Sequence, residues 1–129
     1  MILFHLDPRS GVPTYLQLVQ QVRHAVSLGI LRPRDQLPTV KDVVGALAIN
    51  PNTVLKAYRE LDREGLVVAR RGVGTFVADE LPSPPPDDLR GLRTSLLRWV
   101  ERARAAGLDD ENIAALLAET RAERPARVA

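Results

Sequence analysis

Two asparagines and a threonine, Asn50, Asn52 and Thr53, stand at the start of a segment whose apolar residues recur at helical spacing. An asparagine amide can pair with an adenine edge through one donor and one acceptor, and a threonine hydroxyl can contact a base or a phosphate. Lys56 follows them and adds a positive charge. Asn50 also suits a helix cap, and Pro51 suits the first helical position. The segment therefore predicts contact with a groove of DNA, while capping is the structural role of Asn50.

A second group of candidate contacts lies on a basic glycine turn. Two β-rich runs, Leu66 to Ala69 and Thr75 to Val77, are joined by Arg70-Arg71-Gly72-Val73-Gly74, which bends easily and carries two fixed charges. An arginine on such a turn can enter a minor groove or bind a phosphate. Arg70, Arg71 and Gly72 are therefore predicted to contact DNA from a wing that follows the helix.

The basic residues are concentrated around these two segments, although the chain of 129 residues has a formal net charge of only +2. Local potential matters more for phosphate binding than net charge does. The residues in question are Lys41, Lys56, Arg59, Arg63, Arg70 and Arg71. A solvated basic face is the alternative interpretation of the same charges, and for Arg59 and Arg63 pairing with neighbouring carboxylates is an equally good account.

The sequence shows no sign of catalysis, of a metal site or of a cofactor. It has no cysteine, and His5 and His24 are its only histidines. It has no glycine-rich phosphate loop and no serine in a recognisable nucleophile turn. The N-terminus lacks the order of residues found in a signal peptide, and no apolar run approaches the length of a membrane span. We therefore expect a cytoplasmic protein that is not an enzyme.

Three helices are predicted to hold the candidate contacts in place. The first runs from Pro13 to Gly29, and a brief strand from Ile2 to Leu6 precedes it. Its apolar stripe consists of Leu16, Val19, Val22 and Val26. A turn-forming connection, Leu31 to Gln36, leads to the second helix, Val40 to Leu47, which Thr39 is placed to cap.

The third helix, Pro51 to Glu64, carries the groove contacts on one face. Its buried face is predicted from the spacing i, i+3, i+4, i+7. These positions are Val54, Ala57, Tyr58 and Leu61. Two helices, a turn between them, and a β-hairpin after them are the order of a winged helix-turn-helix, in which the second helix enters the major groove.

The same residues resemble the DNA-binding domain of GntR-family transcriptional regulators, and the short remainder of the chain resembles the YtrA-like subfamily. The resemblance rests on Leu37-Pro38-Thr39, Asn50-Pro51-Asn52-Thr53-Val54, Ala57-Tyr58-Arg59-Glu60-Leu61, Glu64-Gly65-Leu66 and Arg70-Arg71-Gly72-Val73-Gly74-Thr75-Phe76-Val77. It implies repression of transcription by a homodimer on an inverted-repeat operator in double-stranded DNA. It implies DNA contacts at Lys41, Asn50, Asn52, Thr53, Arg71 and Gly72.

Three residues depart from the family pattern. Lys41 stands where the family usually has arginine, so a bidentate guanine contact becomes a point-charge contact with less base discrimination. Arg34 and Ala48 occupy turn positions often held by glycine. If either residue needs a positive φ, the local cost is about 1 kcal/mol, which packing can absorb.

The residues after the wing divide into a linker, a helical unit and a tail. Residues 79–88 are rich in proline and predict a semi-rigid spacer, 89–123 predict two helices that meet near Gly107 and Asp109, and 124–129 predict a frayed tail. The apolar seam of the helices consists of Leu89, Leu92, Leu96, Trp99, Val100, Ile113, Leu116 and Leu117.

Two such helices are too short to stand alone, so they require a partner. They can fold back on their own winged domain, but a proline spacer favours a second copy of the chain and hence a homodimer. A small-molecule effector of unknown identity is a further candidate partner, at an interface where Trp99 lines a pocket. Simple core packing is the alternative for Trp99.

The predicted fold class is therefore α+β and mostly helical. A winged helix-turn-helix DNA-binding domain occupies residues 1–78, and a two-helix dimerisation unit follows the linker. A protein-interaction adaptor that uses a winged domain is the alternative function, because fold alone does not fix function. The polar start of the third helix argues against the adaptor, since a protein-binding face offers aromatic or aliphatic anchors.

Overall fold

The computed structural model of the chain describes residues 2–123, so the predicted tail at 124–129 lies outside the described residues. These residues form α1 (Thr14–Ser27), α2 (Val40–Leu47), α3 (Pro51–Arg63), β1 (Val67–Arg70), β2 (Gly74–Val77), α4 (Leu89–Ala105) and α5 (Asp110–Ala122). The predicted fold class, mostly helical α+β with a winged helix-turn-helix, is confirmed. The described residues fall into two compact units, one ending at Pro86 and the other beginning at Asp87.

The core of the first unit lies where α1, α2 and α3 meet the sheet. All four residues of the predicted α3 stripe are buried, as are five residues of α1. The α1 set is Leu18, Val19, Val22, Ala25 and Val26, so the inward face of α1 includes Leu18 and Ala25 while Leu16 is only half-buried. Each fully buried Val or Leu side chain contributes about 1.5 to 3 kcal/mol. The apolar face of α3 therefore fixes which of its residues point outward.

The start of α2 is fixed by a capping box. The Thr39 hydroxyl accepts a hydrogen bond from the Asp42 amide at 3.1 Å, and the Asp42 carboxylate accepts one from the Thr39 amide at 3.3 Å. Thr39 therefore caps this helix as predicted. At the other end Ala48 has a φ of 53°, and Arg34, before the helix, has a φ of 73°. Both positions preferred by glycine therefore do need a positive φ.

The predicted strand from Ile2 to Leu6 is wrong. The segment has no regular secondary structure, and two side chains of α1 bind its backbone instead. The Gln21 amide accepts from the His5 N–H at 3.1 Å and donates to the His5 carbonyl at 2.6 Å. The Gln17 amide does the same for Asp7, at 2.9 and 3.2 Å. Because each glutamine supplies one donor and one acceptor, it satisfies one residue as a neighbouring strand would.

The wing contains a third extended run that the sequence did not reveal. β1 pairs antiparallel with β2 in the register Val67↔Val77 to Arg70↔Gly74. Both ends of β1 and the start of β2 lie one residue from the predicted ends, and the end of β2 at Val77 agrees. The connection predicted as a simple turn runs along β2: the Val77 amide donates to the Asp35 carbonyl at 2.8 Å, and the Leu37 amide donates to the Thr75 carbonyl at 2.8 Å. These bonds tie the wing to the residues that lead into α2.

The second unit consists of α4 and α5. The turn between them has Gly107 at a φ of 102°, and Asp109 caps α5 by accepting from the Asn112 amide at 2.7 Å. Both positions agree with the predicted end and start. Ala103 and Ile113 are the buried apolar residues of this unit within the described part of the chain. Two buried residues make a very small core for a pair of helices.

In the described part of the chain, 2–123, no helix has the length and apolarity needed to cross a bilayer. Nor do the same residues contain a group of three or more His, Cys, Asp or Glu placed to hold a metal ion.

Candidate nucleic-acid interface

The start of α3 is shaped by its cap. The Asn50 side-chain oxygen accepts a hydrogen bond from the Asn52 amide at 2.8 Å, which confirms the capping role. An asparagine amide also carries two N–H donors, so capping leaves those donors available. Pro51 occupies the first helical position, where its missing N–H costs nothing. Asn50 and Asn52 are both exposed, and Thr53 is half-buried.

The structure brings four of the predicted contacts together around one open cleft. Asn50, Asn52, Thr53 and Lys56 line it from α3, and Thr14 and Tyr15 line it from the first turn of α1. The Lys56 ammonium lies over the Tyr15 ring, 4.0 Å from the ring centroid. The cleft therefore combines amide and hydroxyl groups with one positive charge that an aromatic ring holds.

Lys41 is the predicted contact on α2. It lies in the first turn of that helix and is exposed, next to Asp42 of the capping box. No carboxylate among residues 2–123 forms a salt bridge with it. Its charge is therefore free for an external partner.

Arg70, Arg71 and Gly72 lie on the wing turn, which the Val73 amide closes by donating to the Arg70 carbonyl at 2.9 Å. The Arg70 guanidinium lies over the Phe76 ring, 5.3 Å from its centroid. Arg71 is exposed, and Gly72 has a φ of 75°, which glycine adopts without strain. Arg70 is therefore held against the sheet, while Arg71 projects from the tip.

Gly74 keeps the wing close to the residues before α2. A Cβ at this position would meet the Gln36 side-chain nitrogen at 2.6 Å, and its φ of 141° is also one that other residues rarely adopt. The same Gln36 nitrogen donates to the Val73 carbonyl at 3.4 Å. The absence of a side chain at Gly74 therefore leaves space for Gln36 to form its hydrogen bond with the wing turn.

The two remaining basic residues of α3 differ from each other. The Arg63 guanidinium binds the Glu60 carboxylate through its Nε at 2.9 Å, and this hydrogen bond holds the pKa of that carboxyl below its usual range. The pairing predicted for Arg63 is therefore confirmed. Arg59 is exposed and lines an apolar groove with Leu55 and Tyr58.

Two contacts fix the orientation of α3. Arg23 of α1 binds Glu64 with both ends of its guanidinium, at 3.0 and 2.7 Å, and this hydrogen bond raises the pKa of Arg23. The Tyr58 hydroxyl donates to the Pro38 carbonyl at 2.5 Å, just before α2. Burial raises the pKa of Tyr58 well above its ordinary value, and the nearby Asp42 carboxylate adds to the effect. These contacts tie α3 to both α1 and the start of α2.

The predicted dimerisation residues lie in the second unit with very different exposure. Leu92, Leu96 and Leu116 are 58%, 49% and 40% exposed in the single chain. Leu89, Trp99, Val100 and Leu117 are half-buried, and Ile113 is buried. Leu92 and Leu96 therefore leave apolar surface uncovered on α4, and Leu116 does so on α5.

Sequence reasoning missed Thr14 and Tyr15. Their position next to Pro13 indicates only the start of a helix, and nothing in their spacing connects them with Lys56, which lies far along the chain. A contact between helices distant in sequence becomes visible only when the fold is known.

A helix-turn-helix, a supported basic wing and a polar cleft at the start of the second helix define the class of winged helix-turn-helix DNA-binding proteins. The model of the family described as bacterial regulatory proteins, gntR family, matches residues 14–77. The chain is 34% identical over 112 residues to the HTH-type transcriptional repressor YtrA of Bacillus subtilis (strain 168), a match that covers 86% of each sequence. The chain belongs to the GntR family and is a DNA-binding transcriptional regulator, not an enzyme.

Solved structures agree with this assignment. YtrA from Sulfolobus acidocaldarius, a GntR-family transcription factor, matches with a TM-score of 0.57 at 26% identity over 92% of this chain and 97% of that chain. AraR(DBD) in complex with operator ORX1 matches with a TM-score of 0.52 at 27% identity over 58% of this chain and 93% of that chain. The first match therefore extends over most of both chains, whereas the second covers little more than half of this chain.

Proposed function

We propose that the chain is a cytoplasmic transcriptional repressor that binds an inverted-repeat operator as a homodimer. The observation that carries the proposal is the cleft at the start of α3, where Asn50, Asn52, Thr53 and Lys56 meet. Amides and hydroxyls read base edges, and an ammonium binds phosphate. The similarity to the YtrA repressor supports repression, and the similarity to AraR(DBD) supports operator binding.

In this proposal α3 enters the major groove with its N-terminal end. Asn52 and Thr53 contact base edges, because they are the polar residues of that end whose side chains the cap does not use. Asn50 contributes its amide donors, and Lys56 binds a phosphate at the edge of the groove.

Lys41 and the wing contact the DNA on either side of α3. Lys41 provides a point charge from the first turn of α2, and Arg71 extends from the wing tip into the flanking minor groove or onto its phosphates. Arg70 remains over the Phe76 ring and supports the turn. Gly72 allows the backbone of the turn to approach the DNA.

The homodimer rests on the apolar surface of α4 and α5. Leucines that are about half exposed cost free energy in water, and a second copy of the same helices can cover them. A two-fold dimer presents two recognition helices, which is why an inverted repeat is the expected operator. An effector at this interface, near the half-buried Trp99, stays a prediction.

Fluorescence anisotropy tests the proposal directly. The labelled probe is the DNA upstream of the chain's own coding sequence, and random duplex is the competitor, at two salt concentrations. We expect the upstream fragment to remain bound against excess random duplex. Absence of binding to either duplex at low salt contradicts the proposal and favours the adaptor.

Three variants identify the interface. Lys41→Ala and Arg71→Ala are expected to weaken binding and to reduce the slope of log K against log salt by about one for each phosphate that the variant no longer neutralises. Arg63→Ala is the matched control, because it removes the same charge from a guanidinium already paired with Glu60. An equal decrease in affinity for all three variants would indicate a general effect of charge and contradict the proposed docking.

A further inference from the structure

The contact between Lys56 and Tyr15 in the cleft joins the DNA-facing side of α3 to the first turn of α1. The ammonium nitrogen is 4.0 Å from the ring centroid, well inside the range in which a ring face attracts a cation. Tyr15 itself is half-buried and packs against the core, so its ring has a defined position. The Lys56 ammonium therefore has a neighbour with a defined position.

Lys56 is not held by a carboxylate, which is the usual partner of a lysine on a helix. Glu60 stands four residues further along, where an i, i+4 pair would form. Its carboxylate instead binds Arg63, and no salt bridge to Lys56 occurs among residues 2–123. A carboxylate would neutralise the ammonium, whereas an aromatic ring holds it and leaves its positive charge in place.

We propose that Tyr15 is a positioning residue for Lys56 in DNA binding, so that the first turn of α1 forms part of the DNA interface. The inference rests on the proposed function. An ammonium has three donors, and a ring face occupies one side of it, so the other side can donate to a phosphate at the same time. Ordering the long side chain before binding reduces the conformational entropy that binding would otherwise remove.

The inference gives Tyr15 a role that packing alone does not require. The ring face is the part that acts, so Tyr15→Phe is expected to keep wild-type affinity. Tyr15→Leu, which keeps an apolar side chain without a ring, is expected to weaken binding roughly two- to fivefold for each half-site, the size of an exposed cation–π contact. Lys56→Gln is expected to weaken binding further and to lower the salt slope by about one for each half-site.

A double-mutant cycle on the full chain separates positioning from packing. The probes are the upstream duplex and, at low salt, a random duplex of about 30 base pairs, whose binding is electrostatic. If Tyr15 acts through Lys56, Tyr15→Leu has no further effect in the Lys56→Gln background. If the effects of the two substitutions add, or if Tyr15→Phe is as weak as Tyr15→Leu, the inference is overturned, because the ring face then does not act through the lysine.

Measurements without DNA keep this result distinct from a failure of the proposed function. The ring current of Tyr15 is expected to shift the Lys56 Hε resonances upfield in the free protein, and Tyr15→Leu abolishes the shift. Thermal unfolding verifies that each variant is folded. Wild-type protein that binds neither probe contradicts the proposed function, whereas wild-type binding without coupling between Tyr15 and Lys56 contradicts the inference alone.

Discussion

At the scale of single residues, Ala48 shows how a strained backbone angle can be recognised from sequence. It occupies a turn position where the family resemblance implies glycine, and its φ is 53°. A left-handed backbone angle destabilises the folded state by about 1 kcal/mol or more when the residue has a Cβ. Replacing alanine by glycine lowers the free energy of unfolding by about 0.4 to 1 kcal/mol, because glycine increases the conformational entropy of the unfolded chain. Ala48→Gly is therefore expected to raise the free energy of unfolding by up to about 1 kcal/mol, measured by urea titration.

Ala46→Gly is the control for this prediction. Ala46 is exposed and lies inside α2, where glycine costs about 0.5 to 1 kcal/mol relative to alanine. The two substitutions are chemically identical and close together in the chain, yet opposite signs are expected. A similar decrease in stability in both variants would show that Ala48 is not strained.

Tyr58 provides a prediction about pH. Its hydroxyl donates to the Pro38 carbonyl at 2.5 Å, and burial raises its pKa above the ordinary value of about 10. A raised folded pKa contributes stability that is complete below about pH 10 and is lost as the pH rises toward the folded value. The free energy of unfolding should therefore fall by up to about 1.4 kcal/mol per pH unit above pH 10, followed by urea unfolding at pH 9 to 11.

Tyr58→Phe is expected to remove this slope while lowering stability at neutral pH by about 1 kcal/mol, because the Pro38 carbonyl loses its donor. Tyr15→Phe, at the other of the chain's two tyrosines, is the control and should retain the slope. Persistence of the slope in Tyr58→Phe would assign it to other groups.

At the scale of elements, the segment before α1 depends on two glutamines. The Gln21 amide makes both hydrogen bonds to the His5 backbone, and Gln17 serves Asp7 in the same way. Gln21→Ala is expected to release this segment and to cost about 1 to 2 kcal/mol, since it removes two exposed hydrogen bonds. Hydrogen exchange at the His5 amide measures the release.

Gln20→Ala is the control for the glutamine contacts, because Gln20 stands next to Gln21 on α1 and makes no described hydrogen bond to the segment. In the Gln20→Ala variant, the His5 amide should exchange at the wild-type rate. Protection of the His5 amide that survives in Gln21→Ala would mean that apolar packing of Ile2, Phe4 and Leu6 holds the segment instead.

The same elements show what the sequence can and cannot predict. The stripe of α3 and the caps of α2, α3 and α5 are local patterns, and each is predictable residue by residue. The segment at Ile2 to Leu6 resembles a strand, because β propensity cannot reveal that its hydrogen-bond partners are side chains. The run beside β2 escapes prediction because Asp35 and Leu37 pair with residues about forty positions later. The contact between Lys56 and Tyr15 escapes prediction for the same reason.

At the scale of the whole molecule, the uncovered leucines of α4 support the proposed homodimer. Leu92 and Leu96 are 58% and 49% exposed, and they lie one turn apart on the same face. Burial of a leucine contributes about 1.5 to 3 kcal/mol, and a two-fold interface buries each leucine twice, once per copy. A few such residues therefore supply enough free energy to set the oligomeric state.

Leu96→Asp should accordingly produce monomers, because it places an unpaired charge in the interface, and sedimentation equilibrium measures the change. Thr94→Asp is the matched control: Thr94 is exposed on the same helix but lies roughly opposite Leu96 around its axis, since two residues span about 200°. The variant should remain dimeric with the same added charge.

If dimerisation only brings two winged domains together, the Leu96→Asp monomer binds a single half-site as well as the wild type does. On a duplex with both half-sites it lacks the roughly hundredfold or greater gain that linked binding provides. An equal decrease in affinity on both duplexes would show that the helical unit also supports the winged domain.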